Sequence, residues 1–260
     1  MYNQLYLFIL LFFSDMFHLS CFIHIHPHIA RYPMLSQRHY FLSFALCGIA
    51  FMASLLLLRL LLQTFPLSEE ITVLCGLLPL HIFATGTGII SLLFWQTAEP
   101  CPWQTRLQWK SEKGYSAKQF VQHLGLLFAA SICLNLIVSI SSYAFNVRLE
   151  TQAALQNFHG RSTAFIALYA IAVSVLAPLG EEIVFRLCLF NSLRPLGKFT
   201  AMIATALLFA CVHGELHLYP ALFAIGFILQ QAQLSGGLRA SFALHATYNA
   251  IEATMFLCCD

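Results

Sequence analysis

Two adjacent glutamates and an arginine stand in an otherwise apolar stretch of this chain, LAPLGEEIVFRLCLF, which covers residues 176–190. Glu182 and Arg186 are four positions apart, so a helix would place them on one face within reach of an ion pair. Glu181 would point about 100° away from Glu182 and gain no partner from its own helix. The spacing predicts a structural Glu182–Arg186 pair and leaves Glu181 as the carboxylate that needs an explanation.

Polar groups recur in the later apolar stretches. His213 follows Phe209 by four positions in FACVH, and His245 precedes Asn249 by four positions in HATYN. A lone histidine in an apolar helix is most often a hydrogen-bonded core residue. At about 1.5 Å of rise per residue, however, Glu181, His213 and Asn249 each lie roughly 15–20 Å from a polar break. The spacing permits one shared site at a depth where charged side chains usually pair or function.

The composition identifies the solvent that surrounds these residues. Of the 260 residues, 59% are hydrophobic and 9% are charged, whereas a soluble domain carries about 25% charged residues. Such a chain could not cover its surface in water, and we predict an integral, multi-pass protein of the lipid bilayer. The net charge of +2 without a long basic run argues against a nucleic-acid partner.

Seven apolar segments, separated by polar breaks rich in Gly and Pro, predict the architecture. They cover about 40–62, 71–95, 120–145, 162–193, 199–217, 218–233 and 238–258. The expected fold is all-α, a polytopic transmembrane helical bundle with about seven spans, six to eight. We divide the chain into N-terminal transmembrane helices at 34–160 and core helices at 161–260. Residues 1–33 are an uncertain N-terminal segment: either they form a further span, or the assigned start is wrong and translation begins at Met34.

The basic residues predict how the bundle lies in the membrane, because cytoplasmic loops carry an excess of Lys and Arg. With the segment before residue 40 placed in the cytoplasm, one side holds Arg31, Arg38, Arg106, Lys110, Lys113, Lys118, Arg194, Lys198 and Arg239. The opposite side holds Arg59, Arg148 and Arg161. This bias predicts a cytoplasmic 96–119 loop and a C-terminus on the other side.

Several protease chemistries do not fit the residues. The only aspartates are Asp15 and Asp260, no G-x-S-G occurs, and the zinc signature H-E-x-x-H is absent. The nearest approach to that signature is HGELH, in which His213 and His217 have the spacing of two zinc ligands on a helix. Glu215 would lie about 200° around that helix from His213. We predict a site without a cofactor and keep zinc as a minor alternative.

In order, the three motifs resemble those of the CAAX protease and bacteriocin-processing (CPBP) family, which includes the type II CAAX prenyl endopeptidases. The family pattern of E-E-x-x-x-R, F-x-x-x-H and H-x-x-x-N falls on Glu181 to Arg186, Phe209 to His213, and His245 to Asn249. The resemblance covers roughly the last 100 residues, and no motif position departs from the pattern.

The resemblance implies a glutamate-dependent intramembrane endopeptidase that acts on a membrane-associated protein or peptide. Carried over by position, Glu181 and His213 would hold and activate the attacking water, while His245 and Asn249 would stabilise the oxyanion. Glu182 and Arg186 would be a supporting pair, with Phe209 beside them. Two other classes stay open: a non-catalytic membrane partner in immunity or regulation, and a small transporter, although no paired halves are visible.

Overall fold

The computed structural model describes residues 35–65, 67–95, 102–111, 114–147, 161–213 and 215–259. Every regular element in these ranges is helical, which confirms the predicted all-α class. The long helices are α1 (Gln37–Thr64), α2 (Glu69–Phe94), α3 (Ala117–Ala144), α4 (Thr163–Leu196), α5 (Lys198–Val212), α6 (Tyr219–Gly236) and α7 (Leu238–Cys259). The uncertain segment 1–33 lies outside the described residues.

The helix ends have local causes in the sequence. The side chains of Ser68, Ser116 and Ser162 each accept a hydrogen bond from a backbone N–H in the first turn of α2, α3 and α4. Glycines with positive φ, Gly197 at 105° and Gly237 at 81°, separate α4 from α5 and α6 from α7. These capping residues explain why the helices begin and end close to the predicted segments.

The helices differ in whether they can cross a bilayer. Among the described residues, α1, α3 and α4 are long and apolar enough to span a membrane by length and composition. Helix α5 is apolar but has 15 residues, fewer than the ~20 that a span needs. Large apolar side chains such as Leu56, Ile132 and Ile140 are exposed on the outer surface. The number of spans, about seven, stays a prediction.

Helix α4 lies at the centre of the structure, in contact with α1, α2, α5 and α7. Two stretches of α4 are wound as π-helix, Ala172–Leu176 and Glu182–Leu189. The first wide turn ends just before Pro178, which has no N–H to continue the regular ladder. A proline next to the charged motif thus changes the winding of the helix that carries the motif.

Hydrogen bonds between helix ends show which loops lie at the same end of the bundle. At one end, Gln37 Nε2 donates to Ser192 O at 2.8 Å, and the Leu238 N–H donates to Gln108 O at 2.8 Å. The first bond joins the start of α1 to the end of α4, and the second joins the 102–111 segment to the α6–α7 turn. Gln108 Nε2 also donates to the Tyr40 hydroxyl of α1 at 3.3 Å, which links the two pairs. The same regions were assigned to the basic, cytoplasmic side from the sequence.

The opposite end is held by acidic residues at the start of α2. Arg161 pairs with Glu69 at 2.8 Å, and both the N–H and the hydroxyl of Ser162 donate to the Glu70 carboxylate. The backbone hydrogen bond from Ser162, and then its hydroxyl, lower the pKa of Glu70 below its ordinary value. The start of α4 is therefore tied to the start of α2.

The grouping of helix ends sharpens the expected topology. A reporter fused after Lys113 should give a cytoplasmic signal and one fused after Asp260 the opposite signal, because α7 leads away from the end that holds Gln108. A reporter inserted after Gly197 is the matched control and should agree with the Lys113 fusion. If the reporters after Lys113 and after Asp260 lie on the same side, the span count is wrong.

Candidate functional site

The charged pair of α4 lies fully inside the protein. Both side chains of Glu182 and Arg186 are 0% exposed, and Arg186 Nε lies 3.4 Å from Glu182 Oε2. The contact expected from their spacing is present. A second partner for Glu182 comes from α7, where His245 Nδ1 lies 3.0 Å from Glu182 Oε1. Glu182 therefore connects α4 to α7 as well as to its own helix.

His245 stands between the two adjacent glutamates. Its Nδ1 faces Glu182, and its Nε2 lies 3.7 Å from Glu181 Oε2. An ionised carboxylate only accepts hydrogen bonds, so Nδ1–H is the donor to Glu182 and the ring is held with Nε2 toward Glu181. The Glu181 side chain is 21% exposed, in contrast to its buried neighbour. Two neighbouring carboxylates thus occupy different environments, and one ring touches both.

The Phe209 ring forms the floor of the site. The Arg186 guanidinium lies 4.9 Å from the ring centroid, a cation–π distance. The same ring is 4.8 Å from the His213 ring and 6.1 Å from the His245 ring, centroid to centroid. Phe209 thus contacts Arg186 of α4, His213 at the end of α5 and His245 of α7. From the sequence, it was expected only beside Glu182 and Arg186.

His213 follows the last residue of α5. Its Nδ1 lies 2.7 Å from the backbone oxygen of Phe209, so Nδ1–H donates there and Nε2 stays available. The 15 residues of α5 rise about 22 Å from Lys198, and Glu181 lies a similar distance from the other side of that connection. The His213 ring also has the Phe209 ring as a neighbour in common with His245, which lies 3.7 Å from Glu181.

Asn249 makes a contact that the sequence did not reveal. Its Nδ2 donates to the backbone oxygen of Val173 at 3.0 Å. That oxygen lacks its usual helical partners, because the Ala177 N–H bonds to Ala172 O in the π-helical turn and Pro178 has no N–H. One amide hydrogen of Asn249 satisfies the carbonyl that the wide turn leaves open, and the second remains for other use.

Helix α2 adds a wall that the sequence reasoning missed. A Cβ placed on Gly180 would lie 2.6 Å from Thr85 Oγ1 and 3.7 Å from His81 Nδ1. His81 is also close enough to Glu181 and His213 for electrostatic interaction with both. The available signal was a histidine in an apolar segment, four positions before Thr85, but nothing in the sequence linked that segment to Glu181.

The structure removes the premise of the zinc alternative. Helix α5 ends at Val212, and His217 lies in a separate 3₁₀ turn, Leu216–Leu218. His213 and His217 are therefore not one turn apart on a single helix, which was the reason to consider them as a ligand pair. The expectation that the site works without a cofactor stays a prediction.

Comparison with known proteins agrees with the motif resemblance. Residues 163–251 match the model of a family described as Type II CAAX prenyl endopeptidase Rce1-like. The match runs from the start of α4 into α7, about a third of the chain, and includes all three motifs. No curated protein and no solved structure matches the chain. The family is a protease family of membranes, so a peptidase is the activity to consider for this site.

The close approach of α2 to Gly180 gives a test of the site's geometry. Gly180→Ala should reduce the amount of folded protein, because its new methyl would lie 2.6 Å from Thr85 Oγ1. Adding Thr85→Ala removes the obstructing atom and should recover part of the loss. The readout is the monodisperse fraction in detergent and its thermal unfolding temperature.

A glycine in open space supplies the control. Nothing lies within 4 Å of a Cβ placed on Gly125 in α3, so Gly125→Ala should leave folding unchanged or slightly improved. A Gly180→Ala protein as stable as wild type would show that α2 does not lie against α4 at this point.

Proposed function

We propose that this protein is an intramembrane endopeptidase that hydrolyses a peptide bond of a membrane-associated protein or peptide. The observation that carries the proposal is the difference between the paired glutamates. Glu182 is buried and engaged by Arg186 and His245, whereas Glu181 is partly exposed and has no partner on its own helix. A general base must reach water and substrate, so the partly exposed Glu181 is suited to this role and the buried Glu182 is not.

The chemistry assigns one role to each group. Glu181 accepts a proton from a water molecule while the water oxygen attacks the carbonyl carbon of the scissile bond. His213, with its Nε2 available, holds that water from the end of α5. This division follows the family resemblance and is supported by the contacts of Glu181 with His245 and of both histidine rings with Phe209.

The oxyanion of the tetrahedral intermediate needs hydrogen-bond donors aimed at it. His245 and Asn249 lie on α7 four positions apart, and each is held by one bond, to Glu182 and to Val173 O respectively. Those bonds orient the side chains and leave one amide hydrogen of Asn249 for the oxyanion. His245 Nε2 is the second donor when the ring carries a proton on both nitrogens. The supporting contacts of α4 therefore position the donors of α7.

The substrate enters from the membrane in this proposal. The family description names prenyl endopeptidases of CAAX sequences, so a C-terminal peptide that carries a lipid is the first substrate to test. The exposed apolar surfaces of α1, α2 and α3 would face lipid, with the remaining helices completing about seven spans. A leader peptide without a lipid is the second substrate class.

The direct experiment uses purified full-length protein in liposomes with a quenched-fluorescence peptide that ends in a farnesylated C-a-a-X sequence. The same peptide without the farnesyl group and an unlipidated leader-type peptide complete the set. Cleavage of any one by wild type, at a single bond identified by mass spectrometry, supports the endopeptidase. If well-folded protein cleaves none of the three peptides, a non-catalytic membrane partner is favoured.

Glu181→Gln should abolish cleavage while the protein still folds. The change keeps size and polarity but removes the base, and general-base catalysis contributes about 10²–10⁴-fold. The turnover number and the folded fraction are measured on the same preparation. A Glu181→Gln protein that cleaves at the wild-type rate would contradict the assignment of the base.

Glu182→Gln should behave differently, because it leaves Arg186 charged and unpaired in the interior. Breaking one side of a buried pair costs about 3–5 kcal/mol, so folded protein should be lost along with activity. Changing Glu182 to Leu and Arg186 to Met together should recover folded protein but not cleavage, since His245 Nδ1 still lacks its acceptor. Abundant, inert Glu182→Gln protein beside an unfolded Glu181→Gln protein would reverse the two roles.

Metal removal tests the alternative chemistry. Because a carboxylate and an imidazole activate the water in this proposal, chelators should leave cleavage largely intact, and elemental analysis should find no stoichiometric zinc. Cys75→Ser, which removes a metal-binding side chain outside the site, is a control for adventitious metal. One zinc per chain, whose removal stops cleavage and whose return restores it, would contradict a metal-free mechanism.

A further inference from the structure

One face of α2 packs against α4 at the level of the proposed catalytic centre. His81, Thr85 and Gly88 lie at positions i, i+4 and i+7 of α2 and so share a face. A Cβ on Gly88 would lie 2.7 Å from Ile183 Cγ2, and one on Gly180 would lie 2.6 Å from Thr85 Oγ1. The two glycines permit this close approach. The approach brings His81 beside the residue that precedes Glu181.

The surroundings of the His81 ring fit a functional side chain better than a structural one. Its nitrogens make no hydrogen bond to any residue within the described ranges, and the side chain is partly exposed. It interacts electrostatically with Glu181 and His213. An ionisable ring in an apolar helix of a membrane protein that has no hydrogen bond to the described residues is usually functional.

The proposed hydrolysis lacks one function, which is delivery of a proton to the leaving nitrogen. His245 Nδ1 is committed to Glu182, His213 Nδ1 to Phe209 O, and one hydrogen of Asn249 to Val173 O. An amine is a poor leaving group unless it is protonated as the C–N bond breaks. His81 is the imidazole near Glu181 for which the mechanism has no other task.

We infer that His81 relays the proton of the attacking water from Glu181 to the leaving nitrogen; this inference rests on the proposed function. Glu181 takes a proton as the water oxygen bonds to the carbonyl carbon. Neutral His81 receives that proton at one ring nitrogen, directly or through one water molecule. It returns a proton to the peptide nitrogen as the C–N bond breaks, so Glu181 and His81 end as they began and one water is consumed.

The test compares two leaving groups on one enzyme preparation. The amide substrate is the farnesylated C-a-a-X peptide, and the second substrate is the 4-nitrophenyl ester of the same peptide truncated at its farnesyl-cysteine. Nitrophenolate leaves without a proton, whereas the amine does not. The ratio of kcat/KM for the two substrates is independent of how much of the protein is folded, so a partly unfolded variant still gives an answer.

His81→Gln should lower amide cleavage by about 10²-fold or more, in the range of general acid–base catalysis, with ester cleavage close to wild type. Glu181→Gln should lose both activities, because attack itself fails. His123→Gln is the matched control, since His123 is a partly buried histidine of α3 that bonds to Tyr115. That variant should keep the wild-type ratio.

The outcomes separate the inference from the proposed function. An unchanged amide-to-ester ratio in His81→Gln, with wild type active and Glu181→Gln inactive, overturns the relay and leaves the endopeptidase standing. Equal loss of both substrates in His81→Gln also overturns it, since that indicates a role in folding or water activation. Wild type that cleaves neither substrate overturns the relay together with the endopeptidase proposal.

Discussion

The contact on which the site depends is that of Glu182 with Arg186 and His245. All three side chains are nearly or fully removed from solvent, with His245 4% exposed and the other two 0%. A buried carboxylate between a guanidinium and an imidazole is stable only while both partners stay in place. The contact therefore determines how α4 and α7 lie against each other. The adjacent Glu181, whose side chain is 21% exposed, is held 3.7 Å from His245 Nε2 as a consequence.

The π-helical turn of α4 also holds α4 against α7. Pro178 cannot donate to the helical ladder, and the wide turn before it leaves Val173 O without a backbone donor. Asn249 of α7 supplies the missing hydrogen bond. The two helices are thus joined on both sides of Glu181, by a side-chain contact at Glu182 and by a side-chain-to-backbone contact at Val173. The irregular turn of α4 therefore provides the backbone oxygen to which α7 bonds.

Short side chains bring the first half of the chain into the site. Gly88 and Gly180 allow α2 to approach α4 more closely than a Cβ would permit, which explains how His81 reaches the neighbourhood of Glu181. The family match begins only at residue 163, so α2 lies outside it. The predicted division of the chain into N-terminal helices and a core at 161–260 follows the motifs, but α2 packs closely against the helix that carries the first motif.

The sequence by itself determined the helices and the candidate residues. Apolar segments separated by polar breaks with Gly and Pro predicted the helices, and the four-residue spacing predicted the Glu182–Arg186 contact, because both depend on neighbours along one helix. Only the tertiary structure decided which groups meet across helices. It placed His245 between two glutamates, Phe209 under Arg186, and His81 beside Gly180. It also separated His213 from His217, since α5 ends at Val212. Those contacts depend on helix rotation and close packing, which residue spacing along one chain does not specify.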